Sequence, residues 1–476
     1  MSKNLSMLAD LYEFTMSNGY IESGVGERIA YYDYFFRRVP DDGGYAIFAG
    51  LQTLIDYILN LKFDDEDIEF FKSKGIFGEK FLNMLKNFKF ECDVWAMDEG
   101  QIIFPGEPIL TVRGPLYQAQ IIETMLLLIL NHQSLIATKA ARMVRVAKGR
   151  AISEFGSRRA HGADAANYGA RAAYIGGALM SANTYTDRHM DIPSTGTMAH
   201  SWVQSFDSEL ESFRAYAKVY PNHTLLLVDT YDVLRKGVPN AITVFNELRA
   251  NGHEPLGIRI DSGDIAYLSK EARKMLDDAG FPNAKIVASN SLDEFKIKDL
   301  LNQGAQIDSF GVGERLITAK SDPVFGGVYK LAAMETDGVV EPKIKVSEDV
   351  VKITNPGFKQ VYRFYDKWTG IMQADLVMLR DEDAPSGEDY EIFHPLYTWK
   401  RTTILNYVAK PLLKPIFEKG NLVYDAPNIH EIREFAIENQ EKIWDEIKRL
   451  EDPHAYYVDL SQKLFDLRNE LLKEAK

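Results

Sequence analysis

The feature that most constrains the fold is a run of short apolar segments that alternate with amphipathic helical segments, from about residue 131 to about residue 335. Five of these segments have the nearly continuous apolar character of parallel strands that are covered on both faces. They are residues 151–155, 224–229, 256–261, 284–289 and 307–312. A helix follows most of them; the one starting at Asp264 has one apolar face and ends at Gly280. Repeated strand–helix units predict a parallel sheet, open or closed.

The regions on either side of this alternation have a different pattern. Residues 1–130 mix aromatic-rich β segments, such as the alternating stretch near Ala30, with short helical segments. Residues 341–476 are mixed again and end in charged amphipathic helices. We therefore predict three regions: an N-terminal α+β domain (1–130), a βα catalytic domain (131–340) and a C-terminal mixed region (341–476).

Composition limits the partners and the location of the protein. The formal net charge of the 476-residue chain is −14, which argues against a broad surface for nucleic acid or for an anionic membrane, because both are negatively charged. The single cysteine, Cys92, excludes an intramolecular disulfide. The longest apolar stretch, residues 121–130, is too short to span a bilayer, and the N-terminal residues do not have the pattern of a signal peptide. We therefore expect a soluble, cytoplasmic protein.

Polar residues lie at the carboxyl ends of the predicted strands. Asp229, Asp261, Ser289 and Gly311 each fall at such an end. In βα barrels and in open doubly wound sheets alike, ligands bind beyond the carboxyl ends of the strands. The loops at this edge are therefore the predicted place of the active site.

Two segments next to these strands carry residues that suit anions and aromatic rings. In EFGSRRAHG (154–162), Phe155 offers a flat apolar face and Arg158 a planar cation, although a core phenylalanine beside solvated arginines has the same pattern. In PSTGTMAHSW (193–202), Gly196 allows close approach of a ligand to the backbone, and His200 lies among small polar residues.

Acidic residues at the strand ends have a structural and a chemical interpretation. A carboxylate at Asp229 that accepts from one imidazole nitrogen of His200 would leave the other nitrogen nucleophilic; alternatively, Asp229 or Asp232 is the N-cap of the next helix. Arg259 and Asp261 share one face of a strand. They form either a buried structural pair or a site for an anion and ribose hydroxyls.

Two turn segments, ASNS (288–291) and SFGVGERL (309–316), are of the kind in which backbone amides bind phosphate. The glycine pattern in the second segment is neither a Walker loop nor a dinucleotide-binding fingerprint. Each candidate segment has a structural alternative when it is taken singly. Their shared position at the strand ends predicts a sugar-phosphate site.

Six segments in this order resemble nicotinate phosphoribosyltransferases: DLYEFTMSNGY, EFGSRRAHG, GTMAHSW, LLVDTYDV, IRIDSGD and GVGERLITAKSDPVFGGVYKL. The resemblance implies an α/β fold with an irregular βα barrel like that of type II phosphoribosyltransferases, a mixed α+β N-terminal domain and an additional C-terminal region. It implies an enzyme that forms nicotinate mononucleotide and pyrophosphate from nicotinate and phosphoribosyl pyrophosphate, coupled to ATP hydrolysis through a phosphohistidine. This reaction is the first step of NAD salvage from nicotinate. A homodimer with the active site at the subunit interface is also implied.

The resemblance further implies a role for each candidate residue. Tyr12 of the partner subunit and Phe155 would stack on the nicotinate ring. Arg158 and Arg259 would hold the carboxylate and the pyrophosphate, and Asp261 would bind the ribose hydroxyls.

For the phosphoryl chemistry, His200 would take the phosphoryl group from ATP, with Asp229 orienting the ring. Gly196 and Ser201 would line the pocket. Mg²⁺ is implied as a cofactor, and no side chain is assigned to it as a ligand. The 5′-phosphate would lie against three residues of the turn segments: Ser289, Asn290 and Gly313. Glu314 departs from the smaller residue of many relatives, so the contact of the glycine loop is placed at Gly313.

Three rival functions remain open at this level. A nicotinamide-specific phosphoribosyltransferase tends to place an aspartate where this chain has Ser-Ala-Asn at 181–183, and the absence of a carboxylate there favours the acid substrate. An unrelated βα-barrel enzyme acting on sugar phosphates often has a catalytic lysine at a strand end, and these strand ends carry none. A non-catalytic binding protein is disfavoured by the clustering of catalytic residue types.

Overall fold

The computed structural model describes residues 4–349 and 352–475. The chain forms two compact units: unit 1 consists of Met1–Leu135 and Val324–Lys476, and unit 2 consists of Ile136–Pro323. The N-terminal and C-terminal regions of the sequence thus belong to one compact unit, which the sequence did not indicate. The division of the sequence into three domains stays a prediction.

The α-helices of the described residues are numbered in chain order. They are α1 (Leu11–Glu22), α2 (Leu51–Leu59), α3 (Asp65–Ser73), α4 (Glu79–Lys86), α5 (Leu116–Ile121), α6 (Glu123–Val146), α7 (Ala163–Ile175), α8 (Thr184–Met190), α9 (His200–Gln204), α10 (Glu209–Val219), α11 (Val238–Ala250), α12 (Ile265–Asp278), α13 (Glu294–Asn302), α14 (Glu314–Ile317), α15 (Ile429–Glu441) and α16 (Gln462–Glu474).

The strands are numbered in the same way. They are β1 (Ile29–Phe36), β2 (Ala46–Ile47), β3 (Asp93–Ala96), β4 (Ile102–Ile103), β5 (Leu110–Pro115), β6 (Ala151–Glu154), β7 (Met180–Ser181), β8 (Leu225–Leu227), β9 (Gly257–Ile260), β10 (Lys285–Ser289), β11 (Ser309–Val312), β12 (Gly327–Thr336), β13 (Val339–Pro342), β14 (Lys359–Asp366), β15 (Met372–Leu379), β16 (Asp389–Phe393), β17 (Arg401–Leu405), β18 (Tyr407–Pro411), β19 (Lys414–Glu418), β20 (Asn421–Leu422) and β21 (Val458–Leu460).

Unit 2 is built on a six-stranded sheet in the order β7-β6-β11-β10-β9-β8, and every neighbouring pair is parallel. The five apolar segments of the sequence all contribute strands to this sheet, so the predicted parallel sheet is confirmed. Ile258, Ile286 and Phe310 are fully buried, as expected for strands with helices on both faces. Because all strands run in one direction, their carboxyl ends lie at one edge.

Helix caps in unit 2 decide between the alternatives for the acidic residues. The carboxylate of Asp264 accepts a hydrogen bond of 3.0 Å from the backbone N–H of Tyr267 and begins α12. Asp232 caps the segment after β8 by accepting from the backbone N–H of Arg235 at 2.8 Å. The capping role near β8 therefore belongs to Asp232, which leaves Asp229 without it.

Unit 1 contains a seven-stranded sheet in the order β13-β12-β1-β5-β3-β19-β20. The predicted aromatic-rich strand is β1, which pairs antiparallel with β5 and β12. Strand β19 from the C-terminal region pairs with β3 through Phe417 and Val94. A second sheet has the order β18-β14-β15-β21. Hydrogen bonding within one sheet is thus what joins the two ends of the chain into unit 1.

Among the residues that the structure describes, no helix combines the length and the apolar character needed to cross a membrane.

Candidate active site

A closed triangle of hydrogen bonds lies at the carboxyl ends of β9 and β10. Arg259 donates from Nε to the hydroxyl of Ser289 at 2.9 Å and from Nη2 to Oδ1 of Asp261 at 3.1 Å. Ser289 in turn donates its hydroxyl hydrogen to the same carboxylate oxygen of Asp261. Arg259 pairs with Val287 in the parallel register, which places Ser289 next to it at the strand end. These contacts hold the guanidinium in one orientation.

The imidazole of His200 lies beside this triangle at the start of α9. Its Nδ1 is 3.0 Å from the hydroxyl of Thr230, and its Nε2 is 3.8 Å from Oδ2 of Asp261. The side chain is 40% exposed, so a ligand can reach the ring. Because a hydroxyl can donate or accept, this contact orients the ring without selecting a tautomer, and it leaves Nε2 available for chemistry.

The contact predicted between Asp229 and His200 is replaced by another one. Asp229 accepts a hydrogen bond of 2.6 Å from the hydroxyl of Ser262, and Thr230 makes the hydrogen bond to the imidazole. Both residues follow the end of β8 at Leu227, where the alternation of a strand no longer sets the direction of the side chains. Oδ1 of Asp229 is buried without a hydrogen-bond donor from the described residues.

The aromatic ring of Phe155 follows β6 and lies next to Arg259, whose guanidinium carbon is 5.7 Å from the ring centroid. The backbone N–H of Phe155 donates to the carbonyl of Val312 at 2.7 Å. A Cβ atom at Gly311 would lie 2.6 Å from two ring carbons of Phe155. The glycine therefore gives the ring the space that it occupies.

Three other predicted site residues are exposed and stand apart from this hydrogen-bond network. Arg158 lies in a 3₁₀ helix, Ser157–Arg159, Gly196 precedes α9, and Ser201 lies in the first turn of α9. None of the hydrogen bonds within residues 4–349 and 352–475 joins the side chains of Arg158 and Ser201 to the triangle, and Gly196 has no side chain. Their roles in substrate binding stay predictions.

The turn segments have the backbone geometry expected of tight turns. Asn290 follows β10 with φ of 91°, in the left-handed region that non-glycine residues seldom adopt. The carbonyl of Gly313 accepts from the backbone N–H of Ile317 at 3.1 Å at the start of α14. Glu314 forms an ion pair of 3.1 Å with Lys320, which holds the pKa of this exposed carboxyl below its usual value. The phosphate contacts of these turns stay predictions.

Tyr12 is a residue of unit 1 and lies on α1, where its side chain is partly exposed. Burial, followed by the carboxylate of Glu123, raises the pKa of the Tyr12 hydroxyl, and the two side chains are hydrogen bonded. Glu123 also accepts a hydrogen bond of 2.7 Å from Gln120. The tyrosine hydroxyl is thus neutral and held by a hydrogen bond, and the stacking of its ring on a ligand stays a prediction.

Sequence reasoning missed four residues that hold the site together. Thr230 and Ser262 adjoin the predicted aspartates, and Thr197 accepts from Nη1 of Arg259 at 3.3 Å. Glu154 is buried and accepts from the hydroxyl of Ser181 at 2.7 Å and from the backbone N–H of Gly156; burial raises its pKa. Their signal in the sequence was only adjacency to the predicted site residues.

The described residues contain no group of three or more histidine, cysteine, aspartate or glutamate side chains placed to hold a metal ion. Mg²⁺ seldom needs such a cage, because it keeps several waters and binds through one or two carboxylates together with phosphate oxygens of a substrate. Asp229, with its unpartnered Oδ1, and Asp261 are carboxylates that fit this mode of binding.

Sequence comparison adds the family to this geometry. Over 475 residues the chain is 44% identical to a nicotinate phosphoribosyltransferase of Bacillus subtilis, covering 99% of this chain and 96% of the relative. This chain belongs to the nicotinate phosphoribosyltransferase family. Models of the N-terminal domain, the family and the C-terminal domain match residues 7–131, 150–357 and 358–468. A nicotinate phosphoribosyltransferase of Mus musculus is 31% identical over 518 residues, 96% of this chain and 95% of the relative.

Solved structures show the fold of the family. The crystal structure of human nicotinic acid phosphoribosyltransferase has a TM-score of 0.87 and 29% identity, and the match covers 97% of this chain and 99% of the human one. The crystal structure of nicotinate-nucleotide pyrophosphorylase from Pyrococcus furiosus has a TM-score of 0.71 and 24% identity. The match covers 92% of this chain and 96% of the Pyrococcus chain. The predicted fold class is confirmed.

Proposed function

We propose that this protein is a nicotinate phosphoribosyltransferase, which joins nicotinate to phosphoribosyl pyrophosphate and releases nicotinate mononucleotide and pyrophosphate in the first step of NAD salvage from nicotinate. The observation that carries the proposal is the preformed triangle of Arg259, Asp261 and Ser289 beside His200, in a chain of this family. We further place the enzyme in the cytoplasm, as a homodimer.

The charges of the triangle match the charges of the reaction. Displacement at C1 of the ribose leaves positive charge on the sugar and negative charge on the departing pyrophosphate. A guanidinium that is already held by Ser289 and Asp261 stabilises the anion without reorganising during the step. Asp261 is in turn a hydrogen-bond acceptor for ribose hydroxyls, and Mg²⁺ would neutralise further charge on the pyrophosphate.

The aromatic ring of the substrate would lie on Phe155. Gly311 leaves room for the Phe155 ring, and the guanidinium of Arg259 lies beside that ring, where the nicotinate carboxylate would need a cation. Tyr12 of the partner subunit would cover the opposite face. Arg158 would bind the carboxylate or the pyrophosphate from the exposed side of the site.

ATP hydrolysis would be coupled through His200. The phosphorus–oxygen bond to the γ-phosphoryl group breaks, ADP leaves, and a bond forms to a ring nitrogen of His200; water later releases the phosphate. The added charge lies within reach of Asp261 and Arg259. It would favour the pocket shape that binds phosphoribosyl pyrophosphate more tightly.

The main alternative is a preference for nicotinamide. The segment 181–183 carries no carboxylate; its Asn183 caps α8 and donates from its amide to Asn167 at 2.9 Å. A purified sample supplied with equal nicotinate and nicotinamide should form nicotinate mononucleotide predominantly, as measured by chromatography. Predominant formation of nicotinamide mononucleotide would show that the proposed substrate is wrong.

A further inference from the structure

Unit 1 contains a cavity of about 230 Å³ with an excess of positive charge. Four ionisable side chains line it, and they come from separate parts of the unit: Asp33 from β1, Arg37 directly after β1, Lys359 from β14 and Arg468 from α16. We refer to it as the Arg37–Arg468 cavity. None of its lining residues has a part in the proposed reaction.

Two of the four ionisable side chains, Asp33 and Lys359, form an ion pair and neutralise each other. Nζ of Lys359 is 2.8 Å from Oδ2 of Asp33, and both side chains are buried. Lys359 also donates to the carbonyl of Asn355 at 2.8 Å, and the other oxygen of Asp33 accepts from the hydroxyl of Thr111 at 2.7 Å. This ion pair is therefore satisfied within the protein and needs no ligand.

The two arginines have no such compensation. In the part of the chain that the structure describes, Nε of Arg37 and Nε of Arg468 are both buried without an acceptor. Among the described residues, the hydrogen-bond partners of Arg468 are neutral: the carbonyl of Pro395 at 3.1 Å and the amide oxygen of Asn355 at 3.4 Å. Burial lowers the pKa of Arg468, the direction expected of a cation held without a counter-charge.

The guanidinium carbon of Arg37 lies over the face of Phe35, 5.6 Å from the ring centroid. Two guanidinium groups that line one cavity repel each other, and their buried Nε–H donors lack acceptors among the described residues, which costs free energy. A bound anion removes both costs at once.

We propose that the Arg37–Arg468 cavity binds a small anion of the phosphate class, such as inorganic phosphate or pyrophosphate. The two uncompensated arginines give a net charge of +2, which matches a dianion, and the planar guanidinium fork matches the oxygens of a phosphoryl group. The cavity volume of about 230 Å³ lies below the roughly 300–1,000 Å³ of sites for larger organic ligands, which favours a small anion.

The test is calorimetric titration of the full-length protein with inorganic phosphate, in an Arg259→Gln background that weakens phosphate binding in unit 2. One phosphate per chain should bind. Arg37→Gln and Arg468→Gln should each weaken this binding about tenfold or more, because each removes charge-assisted hydrogen bonds. Lys473→Gln, which removes one charge from the exposed part of α16, is the matched control and should leave the affinity unchanged.

The same titration with pyrophosphate and with acetate defines the ligand. Tighter binding of pyrophosphate assigns the site to a diphosphate, and tighter binding of phosphate assigns it to a monophosphate. No binding in the Arg259→Gln background, equal affinity of all variants, or acetate binding as tightly as phosphate overturns the proposal. Should the arginine variants not fold, phenylglyoxal labelling of the parent protein decides: phosphate should protect Arg37 and Arg468, and unchanged labelling overturns the proposal.

Discussion

Arg259 and Asp261, two residues apart at the end of β9, form an ion pair of 3.1 Å between Nη2 and Oδ1. The pair uses one edge of the guanidinium, and Ser289 is bound by Nε. The orientation of the arginine therefore depends on its planar fork, which a lysine does not have. Both members of the pair are proposed to contact the sugar-phosphate substrate.

We expect Arg259→Lys to lower kcat/KM for phosphoribosyl pyrophosphate about 100-fold, because preorganised charge stabilisation is lost although the charge is kept. Steady-state kinetics measure this change. Arg214→Lys is the control, since Arg214 holds Glu247 through a similar fork on the surface of unit 2. An Arg259→Lys enzyme with unchanged kcat/KM would contradict the proposed role.

His200→Ala should abolish the labelling of the protein by ATP that is radioactive in the γ-phosphate. It should also remove the stimulation by ATP and leave a slow ATP-independent transfer. The control is His253→Ala, because His253 is an exposed histidine of unit 2 that contacts Asn222. If His200→Ala forms product with full ATP stimulation, another residue carries the phosphoryl group.

Thr230→Val tests whether the hydroxyl orients the imidazole. Loss of a hydrogen bond is worth about 1 kcal/mol, so the rate of phosphohistidine formation should fall about fivefold while Thr230→Ser stays near the parent rate. Thr243→Val is the matched control, since the hydroxyl of Thr243 donates to the carbonyl of Pro239 on α11, away from the imidazole. Rapid-quench measurement of labelled protein gives the rates, and equal rates for Val and Ser would exclude this function of the hydroxyl.

Gly311→Ala should displace the ring of Phe155, since the new methyl group would lie 2.6 Å from two ring carbons. We expect KM for nicotinate to rise about tenfold, an effect of about 1.4 kcal/mol on binding, with a smaller change in kcat. Gly19→Ala adds a methyl group where no atom lies within 4 Å and serves as the control. A KM equal to that of the parent enzyme would show that the ring is not part of the nicotinate site.

Glu13 should make stability depend on pH. Burial, reinforced by the charge of Glu123, raises the pKa of Glu13 to about 7, although Thr124 donates to it. Since its pKa is higher in the folded protein than the value of 4.5 in the unfolded chain, its contribution to stability is full only below pH 4.5 and is lost as the pH rises to about 7. Glu13→Gln should therefore raise Tm relative to the parent more at pH 8 than at pH 5.

Thermal unfolding monitored by circular dichroism measures these differences. Glu22→Gln, at an exposed position of the same helix, should give the same difference from the parent at both pH values. A Glu13→Gln effect that does not grow with pH would contradict the protonation of Glu13 in the folded protein.

The edge of the sheet at which the site lies could be predicted because it depends on local pattern. Continuous apolar runs specify strands that are buried on both faces, and parallel strands bring their carboxyl ends to one edge. Arg259, Asp261 and Ser289 were chosen on this basis, and the structure brings them together. The start of a helix at Asp264 was predicted correctly for a similarly local reason.

Pairings between distant residues could not be predicted. The sequence favoured Asp229 as the partner of His200, whereas the folded chain uses Thr230, since side-chain direction at a strand end depends on the exact point where the strand stops. The assembly of unit 1 from both ends of the chain could not be predicted for the same reason, because the pairing of β19 with β3 leaves no signal in the local sequence.

By itself, the amino-acid sequence determined the alternation of strands and helices, the edge at which the site lies and the resemblance to a family, because periodicity and short motifs are properties of neighbouring residues. Only the tertiary structure decided which hydroxyl contacts His200 and which arginines stay without a counter-charge, Arg37 and Arg468 among them. Those outcomes depend on distances between segments that are far apart in the chain, and no local pattern encodes such distances.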